Sequence, residues 1–360
     1  MNSTLILRCF PYFLLLYHLV FAWFAYEYVN QNNGDAVKYW FVGKNLSATS
    51  WTDFLHPGSD AIKLITFPLV KFMHLPGWVG CLIFSIWSGF GFWKLWNLLK
   101  NISSGNNYLL GISMMLLLLP NVHFWTSLIG KEAVLFVPVV LIAERIYKKH
   151  YFSLPLILSF LIIAWIRPHV ALVFLIAFLI AILWKGEMQT KTKAFISGFV
   201  LIFGTGLYWL LARITNAHEG LIAKIQNLYA AHNLKLKNTS SYVPMEDYIY
   251  PYKLFTFYFR PLSFEKEGVF GQIIGLENGI LLVFFLIILY ISIRNLKFLT
   301  WNVFSVFAGI CLLLYGTVFA YGYANFGMII RTKTLVFPLI LIFGISLLHQ
   351  IRIERKPKTF

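Results

Sequence analysis

Residues 5–28, LILRCFPYFLLLYHLVFAWFAYEY, decide the fold of this chain, because they form an apolar run long enough to cross a bilayer. A membrane-spanning helix needs roughly 20 consecutive, mostly apolar residues. The run has no alternation of apolar and polar residues, so it predicts a helix rather than a barrel strand. No small-residue cleavage site follows it, so we expect a retained first span rather than a signal peptide.

The whole chain has the composition of such a segment. Apolar residues make up 59% of its 360 residues and charged residues only 12%, and the mean hydropathy is +0.72. Ordinary soluble domains carry about twice that charged fraction, so this class is excluded. We predict an all-α polytopic bundle of about ten spans that forms a single membrane domain over residues 1–360. The predicted spans are residues 5–28, 77–98, 108–120, 132–147, 154–166, 169–184, 195–212, 279–293, 302–321 and 334–349.

The charge of the chain is strongly asymmetric. Its 30 Lys and Arg residues against 14 Asp and Glu give a formal net charge of +16. The clusters fall in short connections on one side of the ten-span arrangement, and an excess of Lys and Arg is typical of cytoplasmic loops. Both termini are therefore predicted to be cytoplasmic, and nucleic acid is not an expected partner. The clusters are Arg145/Lys148/Lys149, Lys185/Lys191/Lys193, Arg294/Lys297 and Arg352/Arg355/Lys356/Lys358.

Two outer loops, residues 30–76 and about 213–278, are too long to be simple turns. In the first loop, apolar residues recur at helical spacing, which predicts a short interfacial helix, and residues 62–73 predict a second one. The second loop begins with an amphipathic helix and continues as an ordered, aromatic-rich segment with few helix signals. The spacing in the first loop involves Ala36, Tyr39, Trp40, Val42 and Leu46.

The first loop opens with Asp35, and Tyr39 follows four residues later. One apolar span, an outer loop that opens with an acidic residue, and two interfacial helices resemble the C-fold (GT-C) membrane glycosyltransferases. The resemblance implies that Asp35 is the catalytic base and that Tyr39 contacts the substrate. Many members have a second acidic residue where this chain has Ala36, so the resemblance does not extend to a metal site. From the residues alone, Asp35 is equally a helix N-cap.

Residues 120–134, PNVHFWTSLIGKEAV, are predicted to form the hairpin between the third and fourth spans. Lys131 and Glu132 lie where this hairpin enters the next span. Ionisable residues are costly at that depth and often mark sites, so Glu132 is a second candidate catalytic residue and Lys131 a candidate substrate-binding cation. The alternative is that Glu132 stabilises a helix N-terminus while Lys131 extends towards the membrane surface.

Further candidate substrate-binding residues lie at other predicted outer positions. Arg167 lies between two closely joined spans, and because it keeps its charge it must meet water, an anion or a carboxylate. Its alternative role is that of a snorkelling arginine at a Pro-broken hairpin, and His169 beside it is equally a packing histidine. Arg260 is embedded in aromatic residues, where a guanidinium usually has a specific partner. Arg331 and Lys333 depart from the positive-inside trend.

These carboxylates and cations suit a substrate whose leaving group is a phosphate. We expect a membrane glycosyltransferase that moves a sugar from a polyprenyl-phosphate donor to a glycan or lipid acceptor at the outer face of a bacterial cytoplasmic membrane. One alternative is a polymerase or ligase of lipid-linked oligosaccharides, because Asn325-x-Gly327 and Arg331-x-Lys333 resemble proteins of bacterial surface-polysaccharide clusters. The other is a transporter or flippase of an anionic lipid-linked substrate, although internal repeats are lacking.

No cofactor is predicted from the sequence. Cys9, Cys81 and Cys311 each lie in a predicted span, without the spacing of a metal site or a disulfide framework. No glycine-rich nucleotide loop, zinc motif or nucleophile elbow is present. The expected partners are therefore the lipid-linked donor, the acceptor and membrane lipids.

Overall fold

The computed structural model of the protein describes residues 3–32, 34–41, 50–215, 220–239, 241–265 and 268–355. Within these ranges the regular elements are helices, apart from one isolated bridge between Tyr242 and Asn325. The chain divides into two compact units, Met1–Arg167 (unit 1) and Pro168–Phe360 (unit 2). The prediction of an all-α polytopic membrane bundle is confirmed.

Unit 1 contains eight α-helices in its described part. They are α1 (Ser3–Gln31), α2 (Asp35–Phe41), α3 (Asp60–Lys71), α4 (Gly77–Ser103), α5 (Asn107–Leu117), α6 (Pro120–Ser127), α7 (Lys131–Tyr147) and α8 (Leu154–Ile166). Helix α4 packs against α1 and α7, and α7 packs against α8. The central helix α4 therefore organises unit 1.

Small residues on α4 explain how closely its neighbours approach. A Cβ atom at Gly80 would lie 2.5 Å from the Trp40 ring of α2, and a Cβ atom at Gly91 would lie 2.7 Å from the Phe136 ring of α7. Contacts that short do not occur, so any larger residue would push these aromatic rings off α4. The two glycines thus allow α2 and α7 to pack closely against α4.

Unit 2 also contains eight α-helices in its described part. They are α9 (Pro168–Lys185), α10 (Thr190–Ile214), α11 (Leu221–Leu236), α12 (Tyr250–Phe259), α13 (Gly268–Arg294), α14 (Val303–Gly322), α15 (Phe326–Lys333) and α16 (Phe337–Arg355). Helix α14 packs against α9, α12 and α16, and α12 also contacts α13 and α15. Most predicted site residues of unit 2 lie near α12 and α15.

Helices occur at all ten positions where the sequence predicts a span, but their lengths differ. Seven helices of the described residues are long and apolar enough to cross a membrane, and an eighth span results if α5 and α6, bent by 48°, are counted as one. Helix α8 is apolar but has only 13 residues. The protein is therefore a multi-pass membrane protein with at least some short or broken membrane helices.

Two predicted loops contain more helix than expected. Most of the hairpin predicted over residues 120–134 is helix α6, because Pro120 occupies the first turn, where its missing N–H costs nothing. The aromatic-rich segment near Arg260 forms helix α12, which also begins with a proline in its first turn. The predicted interfacial helices are α2 and α3, although Val42 and Leu46 lie outside the described residues.

Candidate functional site

A buried ion pair joins the first turn of α7 to the end of α8. Arg167 Nη2 donates a hydrogen bond to Glu132 Oε1, and their side chains are 9% and 2% exposed. Pro168 disfavours helical backbone at Arg167, which adopts φ −140° and ψ 77° and so ends α8. The sequence therefore fixes the arginine at a helix end, where its side chain meets the carboxylate.

Unit 1 also contains an apolar groove of about 660 Å³, and some residues that line it are close in sequence to this ion pair. Two of its lining residues, Val134 and Ile166, are two residues from Glu132 and one residue from Arg167 in the chain. Its walls come from α3, α4, α7 and α8, and they include Leu64, Trp87, Leu161 and Trp165. Trp87, Leu161 and Trp165 are partly exposed, so the groove is open to its surroundings.

Hydrogen bonds hold the wall of the groove in place. Trp87 Nε1 donates to the carbonyl oxygen of Val134 at 3.0 Å, which joins α4 to α7. The backbone N–H of Gly58 donates to the carbonyl oxygen of Trp165 at 2.8 Å, which joins the segment before α3 to α8. The indole N–H of Trp87 and the backbone carbonyl of Trp165 are thus bound within the protein, and the residues that line the groove present an apolar surface.

Asp35 is the first residue of α2 and is exposed. A carboxylate in the first turn is favoured by the helix dipole, so the structure is compatible with both the capping and the catalytic interpretation. Tyr39 is buried, and its carbonyl oxygen accepts a hydrogen bond from Thr66 Oγ1 of α3 at 2.7 Å. Helix α2 is therefore attached to α3, which lines the groove, while Lys131 is half-buried at the start of α7.

In unit 2, Arg260 follows the last residue of α12 and is enclosed by protein groups. Its Nε donates to Glu265 Oε1 at 2.6 Å, and its Nη1 donates to the Tyr248 hydroxyl at 3.2 Å. The rings of Tyr252 and Phe326 lie 5.4 Å and 5.5 Å from its Cζ atom. Burial by itself lowers the pKa of Arg260, but its hydrogen bonds to Glu265 and Tyr248 outweigh burial and raise that pKa.

Lys333 lies at the C-terminal end of α15 and is buried. Its Nζ donates to Asn278 Oδ1 at 2.5 Å and to the carbonyl oxygen of Tyr258 at 3.2 Å. Asn278 Nδ2 in turn donates to the carbonyl oxygen of Pro261 at 2.7 Å. This lysine therefore links α15 to α12 and α13, and its stem and head are part of the packing of unit 2.

The remaining candidates of unit 2 lie on two helices. Arg331 is half-buried in the last turn of α15. The ring of His169 lies 5.7 Å from the Phe319 ring, at an interplanar angle of 67°, which joins α9 to α14. Edge-to-face contacts of this kind stabilise packing. The structure thus gives the packing interpretation of His169 a specific contact.

Two carboxylates at these sites were not predicted from the sequence. Glu265 lies five residues after Arg260 and holds its guanidinium, and Glu277 is buried beside Asn278. A carboxylate and an amide directly before the apolar run of residues 279–293 were the signal that could have indicated this buried position. Among the described residues, no group of three or more His, Cys, Asp and Glu is placed to hold a metal ion.

These observations define the protein as a polytopic, all-helical membrane protein with a buried ion pair and an apolar groove in unit 1, and with enclosed cations in unit 2. Comparisons with protein-family profiles, with curated proteins and with solved structures found no match. The likeness to C-fold glycosyltransferases therefore stays a resemblance in sequence.

Proposed function

We propose that this protein is a membrane glycosyltransferase that transfers a sugar from a polyprenyl-phosphate donor to a glycan or lipid acceptor. The observation that carries the proposal is the apolar groove, which is lined by Ile166, the residue before Arg167 of the buried Glu132–Arg167 pair. A polyprenyl-phosphate has a long apolar chain and an anionic head. The apolar groove suits the chain, and the guanidinium of Arg167 suits the phosphate. Ligand sites of this kind combine an apolar wall with a few precisely placed polar groups.

In this proposal the Glu132 carboxylate holds the side chain of Arg167 in position. A guanidinium that is 9% exposed requires a counter-charge, and the carboxylate supplies it while it fixes the side chain at the end of α8. An ion-paired carboxylate is a poorer base than a solvated one, because the cation stabilises its charged form. We therefore assign the base to the exposed Asp35 and the orientation of Arg167 to Glu132, with Tyr39 beside the substrate.

The proposed reaction forms one bond and breaks one. The acceptor hydroxyl oxygen attacks the anomeric carbon of the sugar, and Asp35 takes the hydroxyl proton. The bond between the anomeric carbon and the phosphate oxygen breaks, and its electron pair leaves with the polyprenyl phosphate. Arg167 and Lys131 stabilise the negative charge that develops on this phosphate. The residues of unit 2 that stay candidates for substrate binding are His169, Arg260, Arg331 and Lys333.

The proposal is tested with the purified full-length protein in lipid nanodiscs. Polyprenyl phosphate itself is the binding probe, and a panel of polyprenyl-phosphate hexoses supplies candidate donors. We expect saturable binding of the phosphate and transfer of sugar from one donor to an acceptor from the host membrane. Growth of a lipid-linked oligosaccharide instead would support a polymerase. Movement of an intact substrate across the membrane of proteoliposomes that contain the same protein, without transfer, would support a transporter.

A further inference from the structure

A pair of histidines lies buried inside unit 1 and takes no part in the proposed transfer reaction. His18 of α1 and His123 of α6 are both fully buried, and their Nδ1 atoms lie 2.9 Å apart. Two imidazoles at this distance share a hydrogen bond, so one Nδ1 must carry a proton and the other must accept it. The two outer nitrogens of the pair show which arrangement fits.

The Nε2 atom of His123 faces a carbonyl oxygen. Helix α5 ends at Leu117, and the carbonyls of a last helical turn lack partners within the helix. The carbonyl oxygen of Leu117 lies 2.7 Å from His123 Nε2. Because a carbonyl only accepts, this Nε2 carries a hydrogen, and in a neutral His123 the Nδ1 atom is then the acceptor towards His18.

The Nε2 atom of His18 faces the hydroxyl of Ser88, which also contacts carbonyl oxygens. It lies 2.8 Å from Ser88 Oγ on α4, and that Oγ lies 2.7 Å from the carbonyl oxygen of Thr126. The other oxygens near Ser88 Oγ, those of Phe84 and Ser85, are carbonyl acceptors too. The contact with Thr126 is the shortest of these, so we assign the Ser88 hydrogen to that carbonyl, and His18 Nε2 then donates to Ser88.

The hydrogen count of this network is one short when both imidazoles are neutral. The four shortest contacts each need a hydrogen, namely Leu117 with His123, His123 with His18, His18 with Ser88, and Ser88 with Thr126. The longer contacts of Ser88 Oγ with the carbonyl oxygens of Phe84 and Ser85, at 3.0 Å and 3.3 Å, share the one hydrogen of that hydroxyl. A neutral His18, a neutral His123 and Ser88 supply three hydrogens. One additional proton completes all four contacts and makes His18 an imidazolium.

We propose that the His18–His123 pair is a binding site for one excess proton, held on His18 and shared with His123 across the Nδ1–Nδ1 hydrogen bond. Burial disfavours a charged imidazole. Both N–H groups of His18 have acceptors, and the Phe92 ring lies 4.8 Å from its ring and stacks on His123 at 4.1 Å, which offsets part of that cost. The further titratable group that faces the pair is Tyr17 on α1, whose hydroxyl donates to the carbonyl oxygen of Leu118 at 2.9 Å.

The test is nitrogen NMR of the full-length protein labelled with ¹⁵N-histidine and held in nanodiscs. Ring nitrogen shifts report which atoms carry hydrogens as the pH is lowered from mildly alkaline to mildly acidic. We expect the signals of His18 and His123 to change together in one step that takes up one proton. The ring signals of His56, an exposed histidine, serve as the internal reference, and His56→Gln should leave the step unchanged.

Ser88→Ala is the decisive variant, and it avoids removing either ring. Without the hydroxyl, the two contacts left to the histidines need two hydrogens, which a neutral pair supplies. Losing an acceptor for the imidazolium should move proton uptake to lower pH by about one to two units, roughly 10- to 100-fold in proton affinity. The proposal is overturned if His18 stays neutral over the whole pH range, if the two histidines take up separate protons, or if Ser88→Ala leaves the step where it was.

Discussion

Arg167 at the end of α8 donates a hydrogen bond to Glu132 in the first turn of α7, and both side chains are buried. The two residues are 35 positions apart, so their ion pair joins α7 to the end of α8. A buried charge of this kind is costly unless it is paired. The pair therefore has consequences for stability that are separate from any role in substrate binding.

Glu132→Gln is expected to destabilise the protein strongly. The substitution keeps the size of the side chain but leaves the guanidinium of Arg167 buried without its counter-charge, which typically costs about 3–5 kcal/mol. Thermal unfolding of the purified variant in detergent measures the loss. Glu246→Gln, which removes the exposed pair with Lys237, is the control and should leave the unfolding temperature unchanged. Equal unfolding temperatures for Glu132→Gln and the wild type would show that the ion pair contributes nothing.

Two leucines on α8 test whether the lipid chain of polyprenyl phosphate binds in the groove. Leu161 lines the groove, whereas Leu158 on the same helix does not, and both are about half exposed. Leu161→Trp should occupy the groove and displace about 60 Å² of apolar contact, which at about 25 cal/mol/Å² weakens binding of polyprenyl phosphate roughly tenfold. Leu158→Trp should leave the affinity unchanged. Equal affinities for the two variants would place the lipid chain elsewhere.

We expect Arg260 and Glu265 to stabilise the protein through one shared interaction. Arg260→Lys keeps the charge but loses the planar guanidinium that contacts Glu265 and Tyr248, and Glu265→Gln weakens the same interaction from the other side. Each variant should lose about 1–2 kcal/mol of unfolding free energy. The double variant should lose clearly less than the sum, because both changes remove one interaction. Additive losses would mean that the two residues act independently.

Much of the fold could be predicted from the sequence, because membrane helices are encoded in long apolar runs. Residues 5–28 and 77–98 lie within the helices Ser3–Gln31 and Gly77–Ser103. The errors arose where a local signal is ambiguous. Pro120 indicated a loop, although proline is tolerated in the first turn of a helix and here begins α6. Composition alone could not distinguish the two uses of proline.

The site was harder to predict than the fold, since ion pairs depend on helix packing rather than on spacing. The sequence identified Arg167 and Glu132 as candidates, but no periodic pattern relates residues on different helices. For Arg260 the aromatic neighbours in sequence indicated a specific partner, and the partner found is Glu265. The His18–His123 contact needed the bend between α5 and α6, which no residue pattern specifies.

Labelling of single cysteines tests the predicted orientation. In a Cys9→Ser background, a cysteine at the exposed position Asn238 should react with a membrane-impermeant reagent added outside intact cells. A cysteine at His150, which lies in a predicted cytoplasmic connection and is exposed, should react only after the cells are permeabilised. The native Cys81 and Cys311 are buried and should stay silent. Labelling of position 238 from the inside would remove the shared outer face on which the proposed reaction depends.

Asp35→Asn separates the catalytic from the structural interpretation of this residue. General-base catalysis typically contributes about 10²–10⁴-fold, so the variant should lose sugar transfer by that factor while it still binds polyprenyl phosphate. Asparagine is itself favoured at helix N-termini, and even Asp35→Ala should cost only about 1 kcal/mol of stability. Both variants should therefore be well folded and inactive.

Asp60→Asn is the control, because Asp60 is likewise the first residue of a helix, α3, in the same unit. It pairs with Lys63 at 2.8 Å, and its replacement should leave transfer near the wild-type rate. If Asp35→Asn also transferred sugar near that rate, Asp35 would be a helix-stabilising residue. Glu132, the second candidate catalytic residue of unit 1, would then be the next residue to replace.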